Sequence, residues 1–172
     1  MIWWDLWSAW FAVARNLQYQ FLNLRWIMES EPTLVSPIIF ADMVIRELGT
    51  GKPSLIGCFH QFAFPQLPAR IGRFFTMISV TNMRGEMPEL HATCRIDLAQ
   101  NAQPIASVSA KLALDARFQP LTPKMIFDIP FPFANVTFPS AGQYVVVVLI
   151  NTEEVARRNF DVATVTAPAN PT

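Results

Sequence analysis

The chain has few charged residues and few of the residue types that build catalytic or metal sites. It contains two cysteines and two histidines among 172 residues, and 15% of its residues are charged, against about a quarter in an average protein. Its 13 basic residues balance its 13 acidic residues, so it lacks the basic surface expected of a nucleic-acid-binding protein. Two cysteines cannot form a disulfide-rich framework or, without further partners, a zinc site. We therefore expect no nucleic-acid partner, no metal and no cofactor.

Proline, glycine and tryptophan are unevenly distributed. All 14 prolines and all 6 glycines follow residue 31, whereas all 5 tryptophans lie within the first 26 residues. This break divides the chain into an aromatic leader over residues 1–30, a body over residues 36–163 and a tail over residues 164–172, which we expect to be disordered.

The leader has the spacing of an amphipathic helix. Its apolar residues recur at alternating steps of four and three, which places them in one stripe. They are Trp3, Trp7, Trp10, Ala14, Leu17, Phe21, Leu24 and Met28. Polar residues such as Asp5 and Arg15 fall mostly on the opposite side. The sequence therefore predicts a helix that ends before Pro32.

Four roles for the leader stay open. Its interspersed charges and amides disfavour a transmembrane span, and the lack of a basic start and a cleavage site disfavours a signal peptide. A third role is a helix that binds a membrane surface, or docks on a partner, through residues 1–28. In the fourth, Met28 is the natural start and residues 1–27 are not translated in the native protein.

The body alternates apolar and polar residues with a period of two, which is typical of half-buried strands. The alternation is clearest over residues 90–98 and 106–114, which we expect to form a hairpin. Further strands are predicted at 38–47, 54–63, 74–83, 124–129, 143–150 and 155–163, between turn-forming residues. The predicted fold is all-β, an antiparallel immunoglobulin-like β-sandwich of seven to nine strands with an N-terminal amphipathic helix.

Three prolines exclude residues 130–139 from a central strand, because proline cannot donate to a sheet ladder. We expect an extended edge or a long crossover there. Phe131 and Phe133 are candidate contacts for a partner or ligand if they are exposed; the alternative is that they pack across an open end of the sandwich. Further on, Gly142 and Tyr144 suit a tyrosine corner, in which the hydroxyl group binds backbone.

Two segments of the body resemble a known family. They are Phe40-Ala41-Asp42 followed by Thr50-Gly51-Lys52-Pro53-Ser54-Leu55-Ile56-Gly57-Cys58-Phe59, and Pro139-Ser140-Ala141-Gly142-Gln143-Tyr144. On these residues the chain resembles, over about 36–163, the uncharacterised bacterial β-sandwich family DUF6941. The resemblance implies a fold and no known activity. Members of the family usually begin near the first strand, so the leader departs from their pattern.

Two places in the body suggest chemistry. Cys58 and His60 are two residues apart on one predicted strand face, where a histidine could activate a thiol; a purely structural pair is the alternative. Asp42 shares the alternating face of Phe40, so we expect it to face the core and to have a partner, because an unpaired buried carboxylate is costly. It would anchor a turn or contact a ligand. We expect Cys58 and Cys94 to be reduced and buried, or else bridged.

These patterns predict a non-enzymatic binding or accessory module with no catalytic residue. We expect it in the cytoplasm, or at a membrane surface through the leader, with a partner protein whose identity the sequence does not reveal. The opposing hypothesis is a small hydrolase or redox protein that uses Cys58 and His60. Composition and spacing do not indicate the oligomeric state.

Overall fold

A computed structural model of the protein describes residues 33–165. The helix predicted for the leader and most of the predicted tail lie outside the described residues. Thr164, which the prediction assigned to the tail, is instead the last residue of a strand. Between residues 33 and 165, no helix has the length and apolarity needed to cross a membrane.

The described residues form ten strands and one short 3-10 turn, at Ala116–Phe118. The strands are β1 (Leu34–Val35), β2 (Ile39–Arg46), β3 (Pro53–Phe59), β4 (Phe62–Phe64), β5 (Ala69–Thr81), β6 (Glu89–Leu98), β7 (Gln103–Ala113), β8 (Phe127–Phe138), β9 (Gly142–Ile150) and β10 (Glu153–Thr164). Each of the eight predicted strands overlaps an observed one, so the all-β prediction is confirmed.

The strands form two five-stranded sheets around one core. In the first sheet β5 pairs with β8 on one side and with β1 and β2 on the other, and β3 lies outside β2. The second sheet has the order β4-β10-β9-β6-β7. All pairs are antiparallel except β4 with β10, which is parallel. The predicted antiparallel sandwich is therefore confirmed, and this one parallel pair is the exception that the sequence did not predict.

The parallel pair arises because one predicted strand is two. Residues 54–63 were expected to form a single strand, but the chain bends at His60 and Gln61. The segment before the bend, β3, belongs to the first sheet, and the segment after it, β4, belongs to the second. Alternation alone does not reveal this break, because both halves are apolar and neither glycine nor proline lies at the bend.

The core lies between the two sheets and follows the predicted alternation. Along β6 the apolar residues Leu90, Ala92, Cys94 and Ile96 are all buried. Phenylalanines from both sheets fill one end of the core; Phe40, for example, packs against Phe160 of the opposite sheet with ring centroids 5.1 Å apart. Such edge-to-face contacts add to the stabilisation from buried area.

The proline-rich segment forms β8, an edge strand. Among the described strands it pairs only with β5, as its prolines require. Pro130 and Pro132 are two residues apart, so both missing N–H groups point to the same side, and an edge strand can leave that side unpaired. Phe131 and Phe133 are 0% and 1% exposed and belong to the core. They are therefore not available as partner contacts, because the strand's alternation turns both rings inward.

Tyr144 closes the connection between β8 and β9. Its ring is fully buried, and its hydroxyl group donates a hydrogen bond to the carbonyl oxygen of Ser140, at 2.8 Å. Gly142, where β9 begins, has a positive φ of 138°, which residues with a side chain rarely adopt. The geometry is that of a tyrosine corner.

Candidate functional site

The β2–β3 hairpin lies at the edge of the first sheet. The register of the two strands pairs Ala41 with Cys58 and Met43 with Ile56. Among the described strands β3 pairs only with β2, so its other edge carries backbone N–H and C=O groups without a strand partner. An edge of this kind can accept a further strand.

One face of the hairpin is an exposed apolar strip formed by Met43, Ile45 and Ile56. These side chains are 50%, 43% and 49% exposed. They share a face because Met43 and Ile56 are directly paired and Ile45 lies two residues further along β2. Single exposed apolar side chains are common, but three in contact range on one ribbon mark a candidate binding surface.

Asp42 is exposed, so the prediction that it faces the core is wrong. The alternation itself holds, since Phe40 on the same face is fully buried. However, β2 pairs with β5 only through Ile39, Phe40 and Ala41. From Asp42 onward the hairpin no longer pairs with β5, and the carboxylate reaches solvent.

Gly57 explains where the Asp42 side chain lies. The constant register of the hairpin places Gly57 opposite Asp42, and a Cβ atom at Gly57 would collide with the Asp42 carboxylate. Gly57 also has a positive φ of 65°, in the left-handed region that favours glycine. Sequence reasoning missed this pairing, although a glycine inside an apolar strand is the signal for such an irregularity.

Cys58 and Cys94 are both free, in agreement with the predicted reduced state, but only Cys94 is buried. Burial raises the pKa of the Cys94 thiol to about 12, which keeps it protonated and unreactive at neutral pH. Cys58 is exposed because it lies on the outer face of the edge strand. The prediction that it is a buried thiol is therefore wrong.

His60 is bonded to an arginine. A nitrogen of the Arg158 guanidinium lies 3.1 Å from His60 Nδ1. Because a guanidinium group only donates, Nδ1 is the acceptor in this contact. Within residues 33–165 no hydrogen bond joins Cys58 to His60. The hydrogen bond by which His60 would activate the thiol in the redox or hydrolase hypothesis is therefore not formed among the described residues.

Arg158 fixes the base of the hairpin, and sequence reasoning missed it. Its guanidinium carbon lies 4.7 Å from the centre of the Phe40 ring, and it also donates to the carbonyl oxygen of Ile38. Burial lowers its pKa, while the aromatic ring and the carbonyl stabilise the cation. The sequence does carry a signal that Arg158 faces inward, because it lies two residues before the buried Phe160 and so on the same face of β10.

A second surface feature is a shallow groove of about 620 Å³ on the second sheet. Its lining includes His91, Arg95 and Lys111. The Glu89 carboxylate oxygen Oε2 lies 2.8 Å from Lys111 Nζ and 3.4 Å from His91 Nε2. The hydrogen bond from Lys111 lowers the pKa of Glu89. Arg95 is paired with Asp97. Arg95 and Lys111 are thus each paired with a carboxylate, so the groove is a weaker candidate than the hairpin.

No group of three or more His, Cys, Asp or Glu side chains that could hold a metal ion occurs in the part of the chain that the structure describes. The hairpin is a candidate for binding, since it exposes the apolar strip and its edge offers backbone groups.

The chain matches one protein family and has weak similarity to several solved structures. Residues 36–163 match the model of DUF6941, a family of unknown function. No curated protein matches the chain in sequence. An alkylpurine DNA glycosylase, AlkC, from Pseudomonas fluorescens has a TM-score of 0.41 at 12% identity, over 76% of this chain and 30% of that one.

Two further solved structures show similarity at the same level. A β-glucosidase from Listeria innocua has a TM-score of 0.41 at 8% identity, over 76% of this chain and 16% of that one. An immunoglobulin-like protein from Pseudomonas aeruginosa has a TM-score of 0.35 at 15% identity, over 78% of this chain and 98% of that one. Thus the chain spans less than a third of the glycosylase and of the glucosidase, and similarity at this level carries no information about activity.

Proposed function

The chain belongs to DUF6941, a family of unknown function, and from that premise we propose that it is a non-enzymatic binding module. In this proposal an extended segment of a partner protein docks on the β2–β3 hairpin. The observation that carries the proposal is that β3 has an open edge next to the exposed strip of Met43, Ile45 and Ile56. The more specific description of the sandwich as immunoglobulin-like is part of the same proposal.

The docking mode that this geometry supports is strand addition. A partner segment in an extended conformation pairs its backbone with β3, which gives affinity with little dependence on sequence. Its side chains on the outer face then lie beside Ile56 and contribute apolar contacts. The rigid scaffold supports the hairpin through Arg158, which contacts both Phe40 and the carbonyl of Ile38.

A selection from a displayed library of random peptides tests this docking mode. We expect the full chain to enrich peptides rich in apolar and β-branched residues. The Ile56→Lys variant should lose them, because a cation on the edge opposes strand addition. Phe118→Lys is the matched control, since Phe118 is 52% exposed but lies in the 3-10 turn, away from the hairpin. Equal enrichment by wild type and Ile56→Lys would disprove the proposal.

The absence of catalysis and the cytoplasmic location are parts of the same proposal. The cytoplasmic location is supported by Cys58 and Cys94, which are unpaired, as in a reducing compartment. The absence of catalysis is supported by His60, which is bonded to Arg158.

A thiol titration of the folded protein tests the redox or hydrolase hypothesis. We expect one thiol, that of Cys58, to react with a disulfide reagent in the folded protein, because Cys58 is exposed and Cys94 is buried. Cys58→Ser should abolish this phase and leave Cys94 unreactive until the protein unfolds. A Cys58 phase much faster than that of a free cysteine at neutral pH would support the enzyme hypothesis.

A further inference from the structure

The edge strands of the two sheets differ in how they are protected against pairing. Most carry a feature that natural proteins use for this purpose. In β8 the feature is the pair Pro130 and Pro132. β4 is protected by its length of only three residues. β7 carries Lys111 and packs beside β8 of the other sheet. β3 is the exception, because its seven residues include no charge and its one proline is at the first position.

An edge strand needs an extended occupant, and this limits what can pair with β3. The last seven residues, 166–172, include Pro168 and Pro171, which removes donors from any strand they could form. These prolines make residues 166–172 a poor partner strand for β3.

We propose that β3 pairs antiparallel with the β3 strand of a second copy of the chain, across a two-fold axis; this rests on the strand-docking function proposed above. A two-fold contact brings identical residues together, so a charged edge would repel itself. β3 has no charge to cause such repulsion, and the net charge of the whole chain is zero. The second copy also supplies a strand that is already extended, which reduces the entropy cost of binding.

The apolar strip gives the pairing its side-chain contacts. Ile56 lies on β3 itself, and Met43 and Ile45 lie beside it on β2. Two-fold pairing brings the Ile56 side chains of the two copies close together on the outer face, and Met43 and Ile45 continue the apolar strip one strand further from the axis. Gly57 interrupts regular pairing because of its positive φ. The paired stretch is short, and we expect a weak dimer with a Kd of roughly micromolar order.

Sedimentation velocity of the full chain over a wide range of concentration tests the proposal. We expect a monomer–dimer equilibrium that Ile56→Lys shifts to monomer by at least tenfold in Kd, because two lysines would meet near the axis. Ile56→Val keeps the edge apolar and should keep the dimer. Phe118→Lys adds the same charge at a side chain of similar exposure outside the hairpin and should also leave the dimer unchanged.

Two results would overturn the dimer. One is a wild-type chain that stays monomeric at every concentration, and the other is a dimer that Ile56→Lys leaves intact, which would place the contact elsewhere. If the chain is monomeric but still selects peptides through Ile56, only the second-copy occupant is wrong and the docking function stands. If neither the enrichment of peptides nor the formation of a dimer depends on Ile56, both proposals fail.

Discussion

At the scale of single residues, Gly57 and Asp42 determine the shape of the hairpin. The two residues face each other across the ribbon, and the space that a Cβ would need at Gly57 is filled by the Asp42 carboxylate. Position 57 thus requires a glycine for two reasons: its φ is positive, and the Asp42 side chain approaches it closely.

We predict that Gly57→Ala destabilises the protein by about 1–3 kcal/mol, because the new Cβ meets the carboxylate and the left-handed backbone is strained. Urea unfolding followed by circular dichroism measures the change. Gly72→Ala is the matched control, since Gly72 also lies in a strand, a Cβ added there would meet no atom within 4 Å, and its φ is not positive. A Gly57→Ala protein as stable as the Gly72→Ala protein would contradict this account.

The sequence correctly predicted which residues of β2 share a face, but it did not predict at which residue of β2 that face becomes exposed. The pattern placed Asp42 on the face of Phe40, and the register agrees. Exposure depends on how far β2 pairs with β5, which is a long-range property that no local pattern contains. The contact between Arg158 and Phe40 joins residues far apart in sequence and was invisible for the same reason.

At the scale of elements, period-two alternation was sufficient to find the main strands. The hairpin of β6 and β7 has the predicted pairing, with His91 opposite Lys111. The bend at His60 and Gln61 was missed, because neither residue is a turn former, and with it the parallel pair of β4 and β10. The sequence also predicted that prolines confine residues 130–139 to an edge or crossover, and β8 is an edge strand.

The edge strands show what alternation cannot reveal. A sequence of apolar residues such as that of β3 predicts a strand, but it does not say whether both sides of that strand are paired. Only the topology shows that β3 lies outside β2 and that its charge-free sequence is at an edge. The candidate site could therefore not be located from the sequence, although Ile56 and Cys58 were both assigned to a strand.

At the scale of the whole molecule, residues 33–165 form a two-sheet scaffold in which the outer edge of β3 pairs with no described strand. The buried aromatic residues and the tyrosine corner hold the sheets together, so the hairpin extends from a packed core. The roles open to residues 1–28, including binding to a membrane surface, stay predictions, because that segment lies outside the described residues.

Backbone hydrogen exchange of the full chain at high dilution tests most directly whether the β3 edge is open. Amides that point away from β2 should exchange quickly, because no strand accepts their hydrogen bonds, while amides in the centre of β5, which pairs on both sides, should be strongly protected. The account predicts an alternating pattern of fast and slow amides along β3. Uniform protection of β3, equal to that of β5, would contradict it, because the edge would then be covered within a single chain.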